Sequence, residues 1–130
     1  MRDRLAAMGA LARAGYPVGL TIAPILPVPG WREAYADLFA QAADALDGVR
    51  DLDLTAELIT HRFTPGSKEV LTGWYPGSDL PMREDERSRK LTKFGSVKYV
   101  FPAELMREMR QGLTQDLAER LPAARVLYWT

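Results

Sequence analysis

Apolar positions along the chain change their period several times, and each change marks an element. Leu5, Met8, Leu11 and Ala12 share one helical face while Arg2, Arg4 and Arg13 fall off it, so residues 3–14 are predicted to form a helix that Ala14-Gly15 stops. After Tyr16-Pro17, the run Val18-Gly19-Leu20-Thr21-Ile22-Ala23 is apolar on both faces, as suits a buried parallel strand. Pro24, Pro27, Pro29 and Gly30 make a stiff loop. Trp31, Tyr35, Leu38, Phe39, Ala42 and Leu46 then form one apolar stripe, predicting a helix over 31–46 that Gly48 ends. Leu52 to Ile59 alternates at first and reads as a second strand. Helix, glycine, strand, loop, helix, strand is the rhythm of an α/β fold, and a right-handed crossover is the natural connection between the two strands.

The second half is more broken. Thr64 is placed to cap a short helix with Pro65 at its first position, ending near Gly73. Pro76-Gly77 and Pro81 interrupt the chain, and the strongly charged residues 83–90 are predicted to be a short exposed helix. Gly95-Ser96, set between β-favouring residues, predicts a hairpin near 91–101. Leu105, Met109, Leu113, Leu117 and Leu121, with Met106 adjacent, predict a helix over 103–121 that Pro122 ends. Residues 125–130 read as a terminal strand. Buried parallel strands need neighbours on both edges, so the pattern suits a piece of a larger α/β barrel or sheet, or a chain that borrows a partner's edge.

Composition narrows the chemistry. At 130 residues the chain has room for one domain with a core. Its 17 basic and 17 acidic residues balance, so any nucleic-acid contact must come from a local patch. There is no cysteine, which removes disulfides, thiolate catalysis and cysteine-held zinc or iron–sulfur centres from this chain. A single histidine argues against a histidine-based metal site. No apolar run reaches the roughly 18 residues of a membrane span, the N-terminal pattern lacks a signal-peptide core, and a cytoplasmic location is expected.

Three stretches remain as candidate sites. Thr55 to Thr64 starts as a strand and ends in His61-Arg62-Phe63, where an α/β fold places its chemistry, although a salt-bridged loop start would use the same residues. Glu57 and His61, four apart, approach each other only if the strand ends between them. From Arg87 to Lys98 five cations (Arg87, Arg89, Lys90, Lys93, Lys98) occur without an acid, with Phe94, Tyr99 and Phe101 interleaved. Cations neutralise phosphates and aromatic rings stack on bases, while a solvated charged face beside core aromatics is the alternative. Ile22-Ala23-Pro24-Ile25 lies at a strand's C-terminal end, where backbone can meet a ligand or simply turn into a loop. Trp31 and Trp129 are expected in the core; Trp74-Tyr75 is a loop pair also expected there, with an exposed aromatic platform as the alternative.

Several of these blocks together resemble a known family. Thr21-Ile22-Ala23-Pro24-Ile25, Gly30-Trp31-Arg32-Glu33 with Tyr35, Glu57-Leu58-Ile59-Thr60-His61-Arg62-Phe63-Thr64, Lys93-Phe94-Gly95 with Lys98-Tyr99, and Leu127-Tyr128-Trp129-Thr130 look like the C-terminal part of spore photoproduct lyase. That family comprises radical S-adenosylmethionine (SAM) enzymes that revert the methylene-bridged thymine dimer of ultraviolet-damaged DNA. A 4Fe-4S cluster on a Cys-x-x-x-Cys-x-x-Cys motif cleaves SAM to a radical that abstracts a hydrogen from the lesion, and a separate cysteine returns one. The resemblance implies the C-terminal part of a partial β/α barrel, followed by a β-hairpin and a C-terminal helix and strand. Residues 1–64 would be the last strand–helix units and 65–130 a DNA-binding extension. Ala23 matches a strand end that contacts SAM, and Arg62 an arginine near the lesion. Lys93 and Phe94 match an Arg-Tyr pair that probes the flipped-out dimer, and Lys98 and Tyr99 match the family's Lys-Tyr. Lysine keeps the cation but loses the bidentate fork of arginine. Phenylalanine keeps the wedge without the hydroxyl. Without cysteines the chain is not expected to bind the cluster or perform the radical step alone. The expected partners are ultraviolet-damaged duplex DNA and a separate chain carrying the cluster; the alternatives are an accessory DNA-binding module or an inactive gene fragment.

Overall fold

The computed structural model describes every residue except Phe94. Helix α1 (Arg2–Arg13) leads into strand β1 (Val18–Ile25), helix α2 (Trp31–Leu46) and strand β2 (Leu54–Thr60). Helix α3 (Pro65–Trp74) and one 3-10 turn (Glu84–Glu86) precede the hairpin strands β3 (Ser88–Leu91) and β4 (Val97–Val100). Helix α4 (Ala103–Arg120) and strand β5 (Ala124–Trp129) complete the order.

Three strands make the main sheet, in the order β1-β2-β5, all parallel. The terminal strand therefore supplies the second neighbour that β2 needs. Leu54, Ala56, Leu58 and Thr60 of β2 are buried, and the residues between them are half-exposed. Leu20, Ile22 and Ile25 of β1 point to the same core, which is filled by Phe39 and Ala42 of α2 and by Met109, Leu113 and Leu117 of α4. Each large apolar side chain buried there contributes about 1.5–3 kcal/mol. Helix α2 lies between α1 and α4 on this face. Gly9 permits the α1–α2 contact, because a Cβ there would run into the backbone carbonyl of Ala45. On the opposite face Gly19, Thr21 and Ala23 of β1 are exposed. The ladder between β1 and β2 shifts register between Ile22 and Ile25, passing over Ala23 and Pro24.

Several expectations change. Of residues 83–90 only Glu84–Glu86 are helical, as one 3-10 turn: Arg83 pairs with Asp85 at 2.8 Å and Glu86 at 3.1 Å around it, and Ser88–Leu91 become a strand. Antiparallel pairing of Ser88, Arg89, Lys90 and Leu91 with Val100, Tyr99, Lys98 and Val97 overrides the helical propensity of Arg89, Lys90 and Leu91. The hairpin thus starts earlier than residue 91, and its turn holds Lys93 and Gly95, the latter at φ 77°. Trp74 and Tyr75 are exposed, not core, because α3 buries none of its residues. That helix rests on its capping box, in which the Thr64 hydroxyl accepts from the Ser67 backbone and the Ser67 hydroxyl from that of Thr64. Trp31 and Trp129 do pack against the core, half-buried. Leu11 leaves the predicted apolar face and is exposed. Among the described residues no helix is long and apolar enough to cross a membrane.

Candidate nucleic-acid interface

The C-terminal end of β2 is tied to three elements at once. Both the amide and the hydroxyl of Thr60 donate to the carbonyl of Thr130 at 2.7 Å, and the Thr130 amide donates to Leu58 at 3.1 Å. The His61 amide donates to the Ile25 carbonyl of β1 at 3.0 Å. Phe63 and Tyr99 exchange two backbone hydrogen bonds, of 3.1 and 2.7 Å, and their rings stack at 5.2 Å. The strand end and the hairpin are therefore joined directly.

Between them opens a cleft of about 260 Å³, lined by Thr60, Arg62, Lys90, Lys98, Val100, Met106, Trp129 and Thr130. Three of these residues are cations and none has an acidic side chain. Arg62 is oriented by a hydrogen bond from Nη1 to the Thr130 hydroxyl at 2.7 Å. Hydrogen bonds from Thr130 and then Arg62 draw the pKa of the neighbouring Tyr128 phenol below its usual value. Lys90 and Lys98 stand directly opposite each other on β3 and β4. Like charges in that position oppose strand pairing, and an anion in the cleft would relieve them.

Beneath the hairpin stem lies Arg87. Its Nη1 donates to the His61 carbonyl at 3.0 Å and its Nη2 to the Pro81 carbonyl at 2.6 Å. Nη2 also lies 3.2 Å from Nδ1 of His61. The guanidinium covers Phe101 at 3.5 Å and faces Phe63 at 5.6 Å. His61 is 8% exposed. Burial first, and the Arg87 charge second, hold its pKa below the ordinary imidazole value.

The structure brings Arg62 and Lys98 into one cleft. Tyr99 is committed elsewhere: a hydrogen bond with Glu84 raises its pKa and lowers that of Glu84, which also pairs with Lys68 at 3.2 Å. Lys93 is exposed in the hairpin turn. Phe94 lies outside the described residues. Ala23 is exposed at the end of β1. No hydrogen bond joins Glu57 to His61 among the described residues, whose ring turns instead to Arg87. In the sequence Arg87 is one of five cations in a basic run, and nothing there sets Lys90 apart. The partner of Lys90 becomes readable only when the hairpin register is known, and no local pattern marks Arg87 as half-buried. Among the described residues no group of three acidic, histidine or cysteine side chains is placed to hold a metal ion.

The profile of one protein family, spore photoproduct lyase, matches residues 1–130. Spore photoproduct lyase from a Geobacillus species is 39% identical over 127 residues, covering 98% of this chain and 37% of that protein. The Bacillus subtilis protein of the same name is 35% identical with the same coverage. This chain thus spans little more than a third of these relatives' length. Among solved structures, a spore photoproduct lyase double mutant with bound AdoMet and dinucleoside spore photoproduct superposes with a TM-score of 0.91 at 38% identity. It is matched over 98% of this chain and 37% of its own. A complex with dinucleoside spore photoproduct alone gives the same TM-score and identity.

Proposed function

Because this chain belongs to the spore photoproduct lyase family and corresponds to its C-terminal portion, we propose that it supplies the surface that holds the lesion-bearing duplex during repair. The observation that carries this reading is the cleft at the end of β2, where Arg62, Lys90 and Lys98 converge with no acidic side chain in the lining. A methylene-bridged thymine dimer must leave the base stack to reach a buried radical, and cations beside the opening hold the flanking phosphates meanwhile. Lys93, in the hairpin turn, and Phe94, its neighbour in sequence, are the residues we assign to the gap in the duplex. Lys98 faces phosphate, and Tyr99 supports the hairpin from behind.

The three parallel strands are read as the closing units of a partial β/α barrel, residues 1–64 supplying the last strand–helix units and 65–130 the DNA-binding extension. Ala23 is the residue assigned to AdoMet contact: small, exposed, and passed over by the ladder, it leaves room for a ligand to lie against the backbone. A cluster held by cysteines does not fit this chain, whose sequence has none. The radical chemistry belongs to a portion of the family's length that this chain does not span.

Duplex DNA binding, followed by fluorescence anisotropy against salt, tests the reading. Three phosphate contacts give a slope of about −2.7 in log affinity against log salt, and Lys98→Ala or Arg62→Ala should each lower it by about 0.9. Binding that is absent, or independent of salt, would overturn the assignment.

A further inference from the structure

We infer that Arg87 is a positioning residue, a latch that fixes the hairpin stem to the end of β2 and so sets the spacing between Arg62 on one side of the cleft and Lys90 and Lys98 on the other. The inference rests on the DNA-binding reading above and adds how that surface is held and when it is released. Arg87 directly precedes β3, and its one guanidinium grips two carbonyls from different segments, those of His61 and Pro81, while its face lies on Phe101. A lysine could not reproduce this, since a single ammonium lacks the planar fork.

The third contact makes the latch conditional. A guanidinium only donates, so Nδ1 of His61 must accept, and the ring is neutral with its proton on Nε2. A doubly protonated ring has no lone pair for Arg87 and sets cation against cation. The surrounding charges do not rescue it. Lys68 of α3 faces the same Phe63 ring at 5.9 Å, and Arg62 is the adjacent residue. Glu84 is engaged by Lys68 and Tyr99, and Glu86 supports the charge of Arg87. From β1 only the Ile25 carbonyl reaches His61, through its amide. The latched state therefore holds fewer protons than the open state. Latching is complete above the ordinary imidazole value of about 6.5. It weakens as the pH falls below that value, and the loss is full once the pH is below the lowered value of the latched ring. Binding of this surface to DNA should thus weaken on acidification, the opposite of what protonating a histidine beside phosphates would do.

His61 is the chain's only histidine, so its imidazole signals in a proton NMR titration are unambiguous. The expected result for Arg87→Lys is a titration midpoint moved up toward the ordinary value, with duplex affinity at neutral pH reduced roughly tenfold. His61→Asn keeps an acceptor where Nδ1 stands but cannot titrate. It should bind duplex DNA as the unmodified chain does at neutral pH and lose the weakening at low pH. An unmoved His61 midpoint or unchanged affinity in Arg87→Lys overturns the latch, as does acid weakening that persists in His61→Asn. If the unmodified chain fails to bind DNA while Arg87→Lys still shifts His61, the DNA reading falls and the latch geometry stands.

Discussion

Two residues of this chain show how one atom's position decides a larger contact. Gly9 lies where α1 meets α2, and the carbonyl of Ala45 occupies the space a side chain would need. Alanine is the better helix former by about 1 kcal/mol, which alone would favour substitution. Because the obstructing atom is backbone, the helices must separate, and overpacking of this kind costs about 1–3 kcal/mol. Gly9→Ala should therefore be destabilising on balance, by about 1 kcal/mol, read as a lower urea midpoint with an unchanged slope. A rise in the midpoint would show that the helices part without cost. Arg87 is the second case. In sequence it is one cation in a basic run, yet its position between Phe101, Pro81 and His61 gives it a structural task that its exposed neighbours lack.

At the scale of elements, the hairpin carries a cost in the unbound protein. Lys90 and Lys98 face each other across two strands of four residues each, and an opposite-charge pair there would contribute about 0.2–1 kcal/mol. Lys90→Glu should accordingly raise thermal stability slightly while duplex affinity falls, a trade between stability and function. A variant that bound DNA as well as the parent would remove Lys90 from the interface. The helices were largely legible before the structure, because their stripes are long: 31–46 was bounded correctly by Trp31 and Gly48, and Thr64-Pro65 marked the start of α3. The strand at 88–91 was not. Its residues are polar, its pairing partner lies on β4, and nothing local distinguishes it from an exposed charged helix. Trp74 and Tyr75 misled for a related reason: aromatic character signals burial only when another element covers it, and α3 has no buried face. Arg62 and Lys98 were legible as candidates, but their convergence on one cleft depends on the bridge between Phe63 and Tyr99.

For the molecule as a whole, the central strand has one neighbour close in sequence and one far away. Val18 of β1 stands opposite Leu54 and is reached through a single helix, whereas Thr60 bonds to Thr130 across 70 residues. Everything proposed to touch DNA lies within that second connection. Closing a longer loop costs more chain entropy, though only slowly with length, and contacts distant in sequence form late in folding. The pairing of β1 with β2, supported by α2, should therefore be protected from hydrogen exchange earlier in refolding than the β2–β5 ladder. Simultaneous protection of both ladders in a pulse-labelling experiment would remove that order. If the order holds, the cleft is the last part of the protein to acquire its shape. Thr130 orients Arg62, so this cation takes its working direction only when the final strand is in place. A folding intermediate would then carry the basic residues without their arrangement, and so attract DNA without selecting where on it to bind.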